Sequence, residues 1–263
     1  MNSSTSKILD SHIHLLDFGE NNIIDYFENS HFFLFENSSS QENWSVLNDV
    51  FCNNSNFFPF FGVHPWYIEK LSSNWLIELE KYLLNQKSGI GEIGLHKSKK
   101  HLDIKKQIEI FIPQFELAIK LDRVVSIHCF KSWQELFEIF NQYRNRLPKF
   151  MIHSFNSSVE ILEQIIKYGG YISLSPNFLH SSNEKNIKLI KKLPMDRLLI
   201  ESDFPYIKKF KTGKYSLENN LKTFNMYREA MLKLYSYCSD ILGIDVNELM
   251  EKIYENGKIF TNR

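Results

Sequence analysis

Six residues of this chain could do chemistry together: His12, His14, Glu92, His128, His153 and Asp203. The first two sit one residue apart in "ILDSHIHLLDF". Glu92 lies between glycines in "GIGEIG", His128 and His153 close the runs "RVVSIHC" and "KFMIHSF", and Asp203 follows "RLLIES". Neutral imidazole nitrogens combined with carboxylates suit Zn²⁺, Mn²⁺ or another divalent ion that accepts nitrogen ligands. The set exceeds what one ion needs. It divides over two ions about 3.5 to 4 Å apart with a carboxylate between them, the arrangement of two-metal hydrolases, and Glu92 is the candidate for the middle position.

Each residue also has a plainer reading. His12 and His14 could decorate an exposed turn, His128 and His153 could be core histidines, Asp203 could cap a turn, and Glu92 could be a lone charge at a Gly-flanked corner. His64, which closes "FFPFFGVHP", fits a hydrogen-bonded structural residue or a substrate contact better than a ligand. What separates the readings is whether the fold brings these positions to one place.

The elements that would position them are legible. Eight short β-rich runs recur at 7–14, 31–38, 57–65, 88–95, 123–129, 149–155, 170–176 and 197–205. Between them lie helical spacings at 21–29, 74–84, 104–121, 133–143, 158–167 and 184–191, with a short helix near 44–50 and two closing helices at 219–242 and 246–258. Apolar strands alternating with helices signify a parallel sheet covered by helices, and eight units predict one closed (β/α)8 TIM barrel. In such a barrel every strand's carboxyl end points to the same rim, so the six residues converge. Residues i and i+2 of a strand face the same side, which lets His12 and His14 grip one ion.

Composition agrees with one large core. The chain has 263 residues, 43% apolar and 14% aromatic, and α/β barrels regularly fill about 250 residues, so a single domain over 1–263 is expected. Lys plus Arg and Asp plus Glu balance at 31 each, which excludes a coat of global positive charge but leaves room for a locally basic site. Cys52, Cys129 and Cys238 are scattered and odd in number, arguing against a disulfide framework or a thiolate zinc site. The start of the chain lacks a signal-peptide core and no run is long enough to cross a membrane, so a cytoplasmic protein with no membrane partner is expected. Two lysine-rich stretches, Lys97, Lys99 and Lys100, then Lys208, Lys209, Lys211 and Lys214, follow the fourth and eighth strands and could hold phosphates or simply be solvated. His31, His101 and His180 read as solvated; His96 reads so too but lies close to the site, which leaves a part in it open.

With these residues in view, the chain resembles the TatD family of metal-dependent deoxyribonucleases, within the amidohydrolase-like superfamily of TIM barrels. The resemblance runs through "LDSHIHL", "FGVHP", "GIGEIGL", the pattern opening at Gln107, "MIHSF", "GGYISLSP", "LLIESDFPY" and the closing "NGKIF". It implies that His12, His14, Glu92, His128, His153 and Asp203 are the metal ligands, that His64 sits near a substrate phosphate, and that two ions, Mg²⁺, Zn²⁺ or Mn²⁺, support cleavage of DNA, with 3′ to 5′ exonuclease action among the family's activities. Asp203 would hold and deprotonate the attacking water, with Glu92 the other catalytic carboxylate. Departures lie around the substrate: "IHCFKSW" stands where the family has "IHSRDA", leaving Lys131 as the nearby cation, and "GLHK" and "HSFNS" replace "GLDY" and "HCFSG". The rival is a hydrolase of a small amide, lactone or ester on the same scaffold; many of those bridge their metals with a fourth-strand lysine, and here Glu92 stands on that strand. A barrel that binds metal or a partner without catalysis is the third reading.

Overall fold

A computed structural model describes residues 7–18, 24–28, 30–98, 103–180, 183–206 and 220–263. Eight strands follow one another around a single sheet in chain order: β1 (Ile8–Ile13), β2 (Phe32–Asn37), β3 (Phe57–Phe61), β4 (Gly89–His96), β5 (Val125–Phe130), β6 (Phe150–Ile152), β7 (Tyr171–Leu174) and β8 (Leu198–Ile200). Every neighbouring pair is parallel. The helices between them are α1 (Ile24–Glu28), α2 (Trp44–Phe51), α3 (Trp75–Asn85), α4 (Ile104–Leu121), α5 (Trp133–Gln142), α6 (Val159–Lys167) and α7 (Asn183–Lys192), followed by Asn220–Leu242 and Val246–Thr261. This is the expected (β/α)8 barrel.

The strands are apolar along their whole length because both faces are covered. All five residues of "FFPFF" in β3 are buried, as are all six of β2. The floor is aromatic. Phe260 of the last helix contacts Phe35, Phe60 and Tyr171, rings from three different strands, and so plugs the end opposite the strand carboxyl termini. Burying a phenylalanine this completely contributes about 1.5–3 kcal/mol.

The seam between β8 and β1 is closed beyond the short eighth strand. Asp203 N donates to His12 O at 2.9 Å, His14 N donates to Phe204 O at 2.8 Å, and Ser202 N donates to the buried Asp10 carboxylate at 2.8 Å. Tyr227 of the Asn220–Leu242 helix donates its hydroxyl to the other Asp10 oxygen at 2.9 Å. One side chain thus ties the two seam strands to a covering helix.

Three strands end three or more residues sooner than the sequence suggests. β3 stops at Phe61, and His64 instead caps a 3-10 helix, Pro65–Lys70, its side chain accepting from Trp66 N at 3.2 Å. β6 and β8 are three residues each, which puts His153 and Asp203 on the loops that follow. Pro65 accounts for the start of that 3-10 helix, since its fixed φ favours the first helical position and its missing N–H is not needed there.

Candidate metal centre

The site residues stand toward or just past the carboxyl ends of their strands, except Glu92, which lies midway along β4. His12 lies in β1 and His14 follows it; Glu92 and His96 belong to β4 and His128 to β5; His64, His153 and Asp203 follow β3, β6 and β8. The two register irregularities recorded in the sheet fall here, between Asp10 and Ile13 on β1 and between Ile90 and Ile93 on β4. Such shifts re-aim side chains, in this case those of His12 and Glu92. Past β5, β6 and β8, Lys131, Ser154 and Asp203 have φ of 55°, 45° and 53°. Non-glycine residues in that region cost about 1–3 kcal/mol each and collect where function holds the backbone.

Glu92 stands between two sets of imidazoles. Its Oε2 faces His14 Nε2 at 3.3 Å and His12 Nε2 at 3.6 Å. Its Oε1 faces His153 Nε2 at 2.7 Å, His128 Nδ1 at 2.9 Å and His64 Nε2 at 3.7 Å. The rings are held from behind. His14 Nδ1 lies 2.9 Å from the Asn37 carbonyl oxygen, which can only accept, so that nitrogen carries the proton and Nε2 is the one turned to the cavity. His12 Nδ1 lies 2.9 Å from Ser126 Oγ, leaving its Nε2 2.9 Å from His14 Nε2. Two ring nitrogens aimed at each other beside a carboxylate are a donor set that a divalent cation satisfies.

Glu201 joins them. It is fully buried, its Oε1 accepts from Ser154 N at 2.6 Å and lies 3.4 Å from His153 Nδ1, while Oε2 has no hydrogen-bond partner among the described residues. Three groups of ligand atoms, each mutually within 4.8 Å, result among the described residues: His12, His14 and Glu92; His64, Glu92 and His128; His12, His153 and Glu201. Asp203 belongs to none of these groups, although it lines the same cavity of about 230 Å³ with His14, His64, Glu92, His128 and His153.

Electrostatics follow from burial and from one carboxylate. Burial opposes charge on Glu92, but the imidazoles of His153 and His64 outweigh it and hold the carboxyl well below its ordinary range. Burial lowers His12 and His128, which favours their neutral, ligating form, and lowers His64, whose Nδ1 accepts from Trp66 N so that its Nε2 keeps a proton to donate. At His14 and His153 burial acts the same way and Glu92 overrides it, raising His14 to about 9 and His153 well above its usual value. A cation held by these atoms would take the place of those protons. Asp203 is pushed up to about 7, chiefly by burial.

Other expectations fared differently. His96 is not solvated: it is 9% exposed, its Nδ1 sits 2.9 Å from His128 Nε2, and it stacks between His128 and Phe130. It shares strand parity with Glu92, the signal by which it was findable. Glu201 had the same signal, two residues before Asp203. Lys131 is exposed, with Nζ 5.3 Å from the Phe130 ring. Lys97 pairs with Glu135 at 2.8 Å, while Lys99, Lys100, Lys208, Lys209, Lys211, Lys214 and His101 lie outside the described residues. Gln107 and Gln114 of α4 work behind the rim: Gln107 accepts from His96 N at 2.7 Å and donates to His96 O at 3.0 Å, and Gln114 accepts from Val63 N at 2.8 Å.

Comparison with known proteins supplies the context. A metal-dependent hydrolase of Buchnera aphidicola is 29% identical over 65% of this chain and 64% of its own length. The Escherichia coli protein named 3′-5′ ssDNA/RNA exonuclease TatD is 25% identical over 56% of this chain and 57% of its own. The chain thus spans less than two thirds of either relative. In structure, the Escherichia coli TatD homologue YJJV superposes with a TM-score of 0.80 at 20% identity, covering 97% of this chain and 98% of that one, which establishes the shared barrel. No helix among the described residues is long and apolar enough to cross a membrane. The family model for TatD related DNase matches residues 9–261, nearly the whole chain including every residue of the site just described, and the chain belongs to that family of metal-dependent hydrolases.

Proposed function

We infer that this chain is a deoxyribonuclease that cleaves phosphodiester bonds with two divalent ions, attacking the polymer from its 3′ end. The observation that carries the reading is the division of Glu92: one oxygen toward His12 and His14, the other toward His128, His153 and His64. A carboxylate so flanked by two imidazole sets fits two ions, and the nitrogen-rich donors favour Zn²⁺ or Mn²⁺ over Mg²⁺. The name carried by the Escherichia coli relative supports a polynucleotide substrate.

Bound divalent ions would lower the pKa of a water and withdraw charge from a phosphoryl oxygen. The chain's own residues do the rest. Asp203 accepts the proton of the attacking water as its oxygen bonds to phosphorus, and returns that proton to the oxygen leaving as the P–O bond breaks. His64, which lines the same cavity, donates from Nε2 toward a non-bridging phosphate oxygen. Lys131, exposed beyond β5, meets the next phosphate.

Purified protein with Mn²⁺ or Zn²⁺ should shorten single-stranded DNA and stop when chelator is added. Asp203→Asn should keep its circular-dichroism spectrum and lose at least a hundredfold in kcat, the scale of a lost general base. A preparation that ignores every oligonucleotide yet opens a lactone or amide would overturn the reading in favour of carbon-centred hydrolysis.

A further inference from the structure

Among the described residues, few large apolar side chains are exposed, and two aromatic ones, each 41% exposed, belong to the metal cavity's surroundings: Trp66 lines it and Phe130 stacks on His96, which lines it too. Scattered exposed apolar residues need no explanation, but a cluster at one rim does. Their rings meet the same imidazole: Trp66 lies edge-on to His96 at 5.4 Å and Phe130 stacks on it at 4.6 Å with an interplanar angle of 20°. The cluster runs inward without a break, because His96 stacks on His128 at 5.1 Å and Trp66 meets His64 at 4.8 Å. Trp66 itself lines the cavity.

The positions are fixed by backbone, so the rings are presented and not merely left over. Trp66 sits on the first turn of Pro65–Lys70, its amide donating to the His64 ring. Phe130 is the last residue of β5, and the left-handed Lys131 that follows turns the chain so that its ammonium lies over the Phe130 ring at 5.3 Å. An aromatic surface flanked by a cation, opening into a metal cavity, is suited to an unpaired nucleobase attached to a phosphate.

We propose that Trp66 and Phe130 form a stacking lip for the terminal unpaired base of a single-stranded polynucleotide, with Lys131 leaving the Phe130 ring for the adjoining phosphate and so freeing the ring face opposite His96. The proposal rests on the nuclease reading above and adds what selects the end: a base free to leave its stack and lie on the rings. A duplex end, whose bases remain paired, cannot use the lip without first fraying. Stacking on an aromatic ring is sequence-tolerant, so the four bases should be handled nearly alike.

The test compares two oligonucleotides of one sequence with Mn²⁺, one ending in an intact nucleotide and one whose terminal nucleotide lacks its base. Wild-type protein should show a KM about tenfold lower for the intact end, within the range of one base stacked on an aromatic ring. Trp66→Ala should erase that difference, and Trp66→Phe should restore most of it. Lys131→Glu should raise KM for both ends alike, since it meets phosphate and not base. Short oligothymidylate should quench tryptophan fluorescence in the wild type and not in Trp66→Phe. Equal KM for the two ends in wild-type protein overturns the lip and leaves the nuclease reading standing. Quenching that depends on Trp66 without cleavage by any metal overturns the nuclease reading and supports the lip.

Discussion

At the scale of single residues, the site is governed by what holds each imidazole from behind. A ring nitrogen can serve a cation only if the other nitrogen has somewhere to put its proton, and His12 and His14 meet that condition through Ser126 Oγ and the Asn37 carbonyl. Ser126→Ala removes the partner without touching a ligand. Loss of such a partner typically weakens metal affinity ten- to a hundredfold, so titration calorimetry with Zn²⁺ should show at least a tenfold rise in Kd while all candidate ligands remain. An unchanged Kd would mean that His12 is oriented by packing alone. The sequence exposed the ligand types and missed their supports for a physical reason. Ligands announce themselves by residue type, whereas Ser126 and a backbone carbonyl become supports only through the curvature that sets β2 beside β1 and turns β5 to face β1 across the barrel. His96 was obscured by its lysine-rich neighbours, and Glu201 by the more prominent Asp203, although strand parity pointed to both.

Elements set how closely those supports can approach. β4 carries Glu92 into the middle of the barrel, and Gly91 permits it: a Cβ there would stand 2.7 Å from Ser126 Cβ and 2.8 Å from Asn37 Oδ1. Both neighbours belong to residues that orient a histidine, so the strand's lack of bulk and the ligands' alignment are one constraint. Gly91→Ala should therefore lower stability by about 1–3 kcal/mol in urea melts and, in the folded protein, weaken metal binding at least as much as Ser126→Ala does, because it pushes on Ser126 itself and on the side chain of the residue whose carbonyl holds His14. A loss of stability with intact metal affinity would separate the two. The number and order of elements were readable from the alternation of apolar runs and amphipathic spacings, since each strand is covered on both faces. Strand ends were not. Whether a residue pairs in the ladder or stands one or two positions beyond it depends on neighbours far away in sequence, as with the Asp10 carboxylate that takes Ser202 N in place of a further ladder bond at the seam.

At the scale of the whole molecule, the site is also a device that joins the barrel. Its ionisable residues come from β1, β4 and β5 and from the loops just past β1, β3, β6 and β8, and each group of ligand atoms joins two or three of these strands, so cations bound in these groups would between them tie six of the eight. In the unfolded chain the same ligands are spread from residue 12 to residue 203, and no comparable site exists. A ligand that binds only the native state stabilises it by RT ln(1 + [L]/Kd), about 2.7 kcal/mol at a hundredfold excess over Kd. For a chain of this size each kcal/mol moves Tm by roughly 2–4 °C, so saturating Zn²⁺ or Mn²⁺ should raise Tm by about 5–10 °C and chelator should reverse it. Glu92→Gln tests the centre of the arrangement, since it keeps the side chain's size and removes the charge between the two imidazole sets. In that variant the metal-dependent rise should fall by more than half, whereas Lys131→Glu, beyond the ligand shell, should leave it intact. A Tm indifferent to metal in the wild-type protein would show that the rim is held by its hydrogen bonds and packing alone, and that the ions contribute to chemistry without contributing to the fold.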